Sequence, residues 1–506
     1  MKETFTVELR LNEDETLLNK RVAKKAGVNE KNLKFTVLKK AIDARNKNDI
    51  KFVYNVKLGE PEAEEPIVPI KTDETAIVVG AGPAGLFCAL TLARHGILPL
   101  VFERGESVDE RRKTVDKFFA GGSLNTDSNV QFGEGGAGTF SDGKLGTQVN
   151  NEVIGGVLKD FVRFGAPEEV GYLNKPHVGS DRLPVVVKNI RQEIISLGGT
   201  FRFSEKVEDI IIENGRARGV IANGKSYFAE HIILAVGHSA RDTFEMLFSR
   251  GVMMECKDFA VGFRIEQRQE LINKDRYGKF FDHPKLGAAD YKLVSHASDR
   301  AVFTFCMCPG GQVMAASSEE GMICVNGMSN FAREKENANS AVICQVVKTD
   351  FGNGEPLSGV RFQRKIERAA FELAGGDYSA PVQLAEHFIE NKLSQATEGV
   401  EPSYPRGTRF CDLSVLYPDP VIGALKKGLK DMDGKIVGFA SKGAVLTGVE
   451  TRSSSPLRVI RGSDFQSVNI KNLYPCGEGC GYAGGITSAA ADGVKVAKSI
   501  IDEIRH

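Results

Sequence analysis

Gly80-Ala81-Gly82-Pro83-Ala84-Gly85 follows the β-rich run Ala76-Ile77-Val78-Val79 and precedes Leu86 to Arg94, which reads as helix. In that context GxGxxG suits the pyrophosphate of a dinucleotide. Gly80 permits the tight turn, Gly82 lets phosphates approach the backbone, and Gly85 lets helix and strand pack closely. Pro83 and Ala84 belong to the same turn, and the unpaired amides of the helix N-terminus face the phosphates. Ile97 to Phe102 reads as the next strand. Glu103 at its end stands where a carboxylate accepts hydrogen bonds from a ribose, with Arg104 beside it as a further candidate contact. The alternative for Glu103 is an ordinary surface carboxylate.

Gly133-Glu134-Gly135-Gly136-Ala137-Gly138 repeats the pattern literally, but no apolar strand precedes it and Thr139-Phe140-Ser141-Asp142-Gly143-Lys144 is no helix. It reads as a loop whose backbone amides cover a ligand, with Gly133, Gly135, Gly136, Ala137 and Gly138 as candidate contacts. A purely structural Ω-loop is the alternative.

The elements that must position these loops belong to a chain of 506 residues with 66 Lys+Arg and 66 Asp+Glu. A zero formal charge argues against electrostatic capture of nucleic acid or anionic lipid. The 54 glycines, clustered and not periodic, exclude collagen-like and solenoid arrays. The uncharged run Thr75 to Ala93 is long enough for a membrane span, yet its composition reads as strand, turn and helix. Met1 to Glu15 holds no apolar signal core, and nine cysteines without a CxxC pair read as reduced thiols, which points to a cytoplasmic protein. The isolated histidines His283, His296 and His387 offer no metal-ligand spacing, so no metal is expected.

Residues 1–58 read as a small α+β domain, with alternation at Phe5 to Leu9, a helix from Leu17 to Ala26, and strands at Phe35 to Ile42 and Ile50 to Val56. Residues 59–74, acidic and proline-containing, read as a linker. A nucleotide-binding region follows over 75–241, with a helical segment near 151–165 and β-rich sequence through 200–238. Residues 242–445 interrupt it as an inserted β-rich domain, with helical stretches expected near 333–348 and 364–374. Residues 446–506 return to the first region.

Three segments resemble the flavin site of the glutathione reductase superfamily. Ile232-Ile233-Leu234-Ala235-Val236-Gly237 is similar to the strand that closes its second half, and Val207 matches the position whose backbone holds adenine. Leu473-Tyr474-Pro475-Cys476-Gly477-Glu478, followed by Gly484-Gly485-Ile486 and a helix, resembles the closing motif, with Glu478 where an aspartate usually meets the ribityl chain. The N-terminus of that helix would stabilise the anionic reduced flavin. Over most of its length the chain resembles the uncharacterised FAD-dependent dehydrogenases. The segments that carry this are Asn129 to Gly138 with Ser141 to Leu145, Cys306 to Gly311, Asn326 to Ser329, Glu450 to Arg452 with Ser454 to Pro456, and Gly477 to Gly485. The resemblance implies an α/β fold, a glutathione reductase-type FAD-binding Rossmann domain with an inserted β-rich substrate domain and a small N-terminal α+β domain. It also implies an FAD-dependent oxidoreductase acting on a small-molecule substrate, with NAD(P)H or another donor. With one GxGxxG in context, NAD(P)H would bind over the flavin in the space the substrate also uses. Disulfide reductases of this superfamily carry a CxxxxC pair beyond the first helix, whereas Cys88 stands alone here, so that activity is not expected.

Within the insert, Phe303 to Cys308, Gln312 to Ser317 and Met322 to Val325 predict an antiparallel meander turned at Pro309-Gly310-Gly311 and Glu319-Glu320-Gly321. Asn326, at its end, is a candidate to touch substrate, a plain turn being the alternative. Arg452 is the candidate to bind substrate or polarise the flavin, or else to form an interface ion pair. Cys306 and Cys308, two apart in a strand, share a face at a spacing awkward for a disulfide. Two other readings stay open: a binding or scaffold protein with structural flavin, and a reductase of a lipid-like substrate.

Overall fold

The computed structural model describes residues 4–60, 66–147, 152–352 and 354–506. Part of the linker expected at 59–74, residues 61–65, lies outside the described residues.

Five strands form a parallel sheet in the order Leu473–Pro475, His231–Leu234, Thr75–Val79, Leu98–Glu103, Thr200–Phe203. Thr75–Val79 lies in the middle, which explains its unbroken apolar run. Its successive side chains feed two cores. Ala76 and Val78 pack with the helices Pro83–Arg94, Leu183–Ser196 and Ile486–Arg505. Ile77 and Val79 pack with the antiparallel strands Val207–Glu213 and Arg216–Ala222. Each of these residues is 7 % exposed or less, so each fully buried Val or Ile contributes about 1.5–3 kcal/mol. The run flagged as long enough for a span is therefore strand Thr75–Val79, a turn and helix Pro83–Arg94. No helix among the described residues is long and apolar enough to cross a membrane.

The second large sheet has seven strands, in the order Val294–Ser295, Val302–Cys308, Asn337–Val346, Phe259–Arg268, Val445–Glu450, Ala380–Leu384, Thr408–Phe410. It corrects the sequence reading in three places. The helix expected near 333–348 is the strand Asn337–Val346, paired on both edges and buried everywhere except Gln345. An interior strand covered on both faces shows no alternation to read. The expected meander is absent: Val302–Cys308 pairs with Asn337–Val346, while Gln312–Ala315 pairs with Val325–Met328 in a separate ribbon. Pro309-Gly310-Gly311 is a crossing and not a hairpin turn, because the strands on either side of it pair with other strands in different sheets; it passes close to Arg333, whose carbonyl oxygen would lie 1.8 Å from a Cβ on Gly310. Finally, the sheet keeps the chain through Glu450, so the boundary expected at 445/446 falls inside a strand.

The N-terminal strands Thr4–Arg10, Lys51–Leu58 and Phe35–Asp43 form one antiparallel sheet with helix Leu17–Ala26 on it. Its apolar residues, Val7 and Phe52 among them, continue into the core of the seven-stranded sheet. Lys40 exchanges backbone hydrogen bonds with Tyr172 and Asn174, which ties the unit to the parallel-sheet half as well.

Candidate functional site

A cavity of about 620 Å³ opens at the carboxyl ends of the parallel strands, where Val79, Phe102, Ala235 and Cys476 reach its wall. Open α/β sheets bind ligands at this edge, and the volume lies in the range of cofactor pockets. Seventeen of the candidate cofactor residues line it: Gly80, Gly82, Pro83, Ala84, Glu103, Arg104, Gly133, Gly136, Ala137, Gly138, Val207, Ala235, Gly237, Glu478, Gly484, Gly485 and Ile486. Gly85, Gly135 and Gly477 stand behind the wall and shape it. A Cβ on Gly85 would lie 1.9 Å from the Gly80 oxygen, on Gly135 2.2 Å from Thr139 Oγ1, and on Gly477 2.7 Å from Ala84 Cβ.

Gly80 has φ +106°, and a Cβ there would meet the Ala235 oxygen at 2.4 Å, so the turn requires glycine. Gly82 differs: the nearest protein atom to its Cβ would be 3.8 Å away, so the space beside it belongs to the cavity. Helices Pro83–Arg94 and Ile486–Arg505 both begin at this wall, and neither carries a side-chain N-cap. Two uncapped N-termini aim amides and partial positive charge at one cavity, an arrangement suited to the pyrophosphate and reduced ring of a flavin dinucleotide. His238 Nδ1 lies 3.2 Å from Glu478 Oε1, and its buried Nε2 has no hydrogen-bond partner among the described residues. The residues present thus fit an FAD.

The two glycine motifs, unequal in sequence context, face each other. Gly135 N donates to Ala81 O at 2.8 Å. Glu103 clasps both loops, accepting from Ala81 N (2.9 Å), Gly105 N (3.0 Å) and Gly133 N (2.9 Å). Arg104 lies over the Phe132 ring, 4.2 Å from its centroid, and ion-pairs with Asp127 and Asp242. Arg111, which sequence reasoning missed, is fully buried in helix Val108–Phe119 and donates to the carbonyls of Asn129, Val130, Gly133, Glu134 and Gly136. It holds the second glycine loop in shape. No local pattern marks it, because all five acceptors are backbone.

The opposite wall is built of side chains from the seven-stranded half: Tyr291, Cys306, Asn326, Glu450, Arg452 and Ser453. Both candidate substrate residues, Asn326 and Arg452, reach it. Asn326 is in strand Val325–Met328 and not at a turn, and its Oδ1 accepts from Arg264 at 3.4 Å. Arg452 is 7 % exposed and paired. It donates to Glu367 at 2.9 and 2.7 Å and to Ser239 and Ser318 at 3.1 and 2.5 Å. Glu367 also takes Arg241 at 2.9 and 2.6 Å. Burial pushes the Glu367 carboxyl up, but the Arg241 and Arg452 guanidiniums outweigh it and hold Glu367 well below the carboxylate range.

Glu450 is the counter-case. It is fully desolvated and has one guanidinium, Arg264 at 2.8 Å. Burial wins over that attraction and raises its carboxyl to about 7. Arg264 is spread over further acceptors: Asn339 Oδ1 at 2.6 Å, the Cys306 carbonyl at 2.6 Å and Cys308 Sγ at 3.4 Å. The sequence segment Glu450-Thr451-Arg452 drew attention to Arg452. Glu450 escaped notice because its partner is 186 residues away. Away from the cavity, Glu386, His387 and Glu398 are the one group of three metal-ligating side chains close together among the described residues, and Glu398 is exposed.

Residues 258–453 match a family described as FAD-dependent protein, C-terminal domain-like. Residues 78–109 match an NAD(P)-binding Rossmann-like domain, and residues 1–59 a domain of unknown function. An uncharacterized protein of Clostridium beijerinckii is 47% identical over 521 aligned positions, covering 98% of this chain and 98% of the relative. Among solved structures, CtdE in complex with FAD aligns over 86% of this chain and 89% of its own at 13% identity, TM-score 0.35. Glycine oxidase from Bacillus cereus aligns over 85% of this chain and 96% of its own at 11% identity, TM-score 0.35.

Proposed function

We propose, for a chain that belongs to the same family as the Clostridium beijerinckii protein and is an FAD-dependent oxidoreductase, that FAD occupies the 620 Å³ cavity and meets its substrate at the seven-stranded wall. The observation that carries this reading is the pair of uncapped helix N-termini at one cavity, with Gly82 open toward it. FAD supplies the two-electron chemistry when bound. The chain's own residues bind, orient and exclude water. Gly82, Pro83 and Ala84 would hold the pyrophosphate, Glu103 and Val207 the adenosine end, and Glu478 with Gly484, Gly485 and Ile486 the flavin end. Gly133 to Gly138 would close over it.

The architecture we assign is glutathione reductase-type. Residues 75–241 and the final segment form the FAD-binding domain, the insert runs from 242 to Glu450, 1–58 is the N-terminal domain and 59–74 the linker. At the insert's wall Glu450 can hold or release a proton near neutrality, while Arg452, locked to Glu367, positions the wall. A small molecule enters here, and NAD(P)H or another donor takes its turn in the same space. The test is direct. The purified protein is expected to be yellow and to release intact FAD on heat or acid treatment. A folded, colourless protein that takes up no added FAD overturns the reading.

A further inference from the structure

Three lysines line the cavity where its two walls meet. Lys144 follows the second glycine loop, and the carbonyl of the next residue, Leu145, accepts a hydrogen bond from Thr487 Oγ1 at 2.8 Å, in the first turn of helix Ile486–Arg505. Lys144 therefore stands beside the helix start at the flavin end. Lys175 lies on the segment that bridges back to Lys144 through His177. Lys292 comes from the other half. Val294 pairs with Phe303, and Thr304 N donates to Leu293 O, so the same register sets Lys292 opposite Phe305 on the seven-stranded wall.

The aspartates at this junction are already engaged. Asp142 is buried and takes Arg333 at 2.9 and 2.6 Å. Asp290 accepts from Lys175 at 2.7 and 2.9 Å, an ion pair that joins the two halves across the opening. Lys144 Nζ stands 3.8 Å from Asp142, beyond hydrogen-bond reach. Lys292 is exposed and has no hydrogen bond or ion pair among the described residues. Lys144, Lys175, Lys292 and Arg333 thus face two carboxylates, and the junction holds an excess of positive charge. The buried arginines of the same wall have little left to offer an anion. Arg452 commits all three nitrogens to Glu367, Ser239 and Ser318, and Arg264 is committed to Glu450, Asn339 and the Cys306 carbonyl. The task of meeting substrate charge, expected of Arg452, passes to the lysines.

A cleft lined by one sign of charge concentrates the opposite ion, and lysine ammoniums are mobile point charges that suit a small anion. We propose that the substrate is a small carboxylate, held at the flavin end by Lys144 and Lys292, and that Asp290 competes with it for Lys175. The inference rests on the FAD reading above. The phosphates of an NAD(P)H donor carry the same charge, and the test separates the two sources.

Benzoate, its neutral analogue benzamide, and ADP are titrated separately into the FAD-loaded protein at low salt, with the flavin absorbance difference as the readout. A site of even millimolar affinity is saturated at about 50 mM. Benzoate is expected to perturb the flavin spectrum, to weaken as salt rises, and to bind at least about tenfold more tightly than benzamide. Lys144→Met should weaken benzoate about tenfold at unchanged FAD content and unchanged benzamide affinity, with Lys144→Arg restoring it. Lys292→Met should weaken it less. Asp290→Asn should tighten benzoate several-fold, an effect of opposite sign that a damaged fold does not produce. Benzoate that leaves the spectrum unmoved at about 50 mM, or binds no better than benzamide, overturns the proposal. Parental benzoate affinity in Lys144→Met does so too. A response to ADP with benzoate silent assigns the lysines to the dinucleotide donor and overturns the carboxylate substrate. Absence of flavin absorbance overturns the FAD reading and this inference with it, and is recognised before any titration.

Discussion

The two walls of the cavity are made of different material. The parallel-sheet wall is backbone: glycine turns, helix N-termini and carbonyls gathered by Arg111. The seven-stranded wall is side chains: guanidiniums, carboxylates and thiols held in buried contact. A backbone wall recognises shape and charge common to many nucleotides and has little to titrate. A side-chain wall can be tuned, and Glu367 and Glu450 show how far. Both are buried carboxylates against arginine, yet two guanidiniums hold Glu367 down while one leaves Glu450 raised to about 7. The count of cations around a desolvated carboxylate decides which effect wins.

The largest expected effect breaks the backbone wall alone. Gly82→Val should abolish FAD retention with the fold intact, since a Cβ at this position lies 3.8 Å from the nearest protein atom and the side chain would enter the cavity. Absorbance and thermal melting of the purified variant check this, and normal FAD content would mean the pyrophosphate lies elsewhere. Next comes Glu367→Gln, which removes the carboxylate paired with Arg452 and leaves Arg241 with Glu319 alone. A loss of about 3–5 kcal/mol is expected in urea unfolding, and a loss below about 1 kcal/mol would show that the network relaxes.

Glu450→Gln sharpens the contrast. Its parent carboxyl is raised in the fold from 4.5 to about 7, so the stability it contributes is present at acid pH and lost as pH rises through that window. The parent should lose roughly 2–3 kcal/mol across it relative to the variant. Glu367 has the opposite sign: its contribution is full at neutral pH and lost as pH falls below the ordinary carboxylate range. Parallel urea midpoints for parent and variant from pH 5 to 8 would refute the assignment to Glu450. The smallest effect belongs to Asn326→Leu, which removes the hydrogen bonds its Oδ1 accepts from Arg264 at 3.4 Å and from the Gly327 amide at 2.8 Å. About 1 kcal/mol of stability is expected to go, with FAD content unchanged, and flavin reoxidation by the true substrate should slow. Arg452→Ala, by contrast, will not leave folding intact, because Arg452 is paired with Glu367.

The sequence by itself marked the residues of the parallel-sheet wall. Gly80, Gly82, Glu103, Ala235, Gly237 and Gly485 were legible because each sits in a short strand-turn-helix or strand-end pattern whose backbone geometry is dictated within a few residues. Only the tertiary structure decided the other wall. Strand Asn337–Val346 read as helix because its periodicity is erased by burial on both faces, and the expected meander was replaced by pairing between distant strands. Arg241 meets Glu367 across 126 residues, Arg264 meets Glu450 across 186, and Arg452 meets Ser239 across 213. The physical reason is range: turns and helix starts follow from local sterics and hydrogen bonding. The charge state of a buried side chain depends on which remote groups share its desolvated space, and that is settled only when the sheets pack.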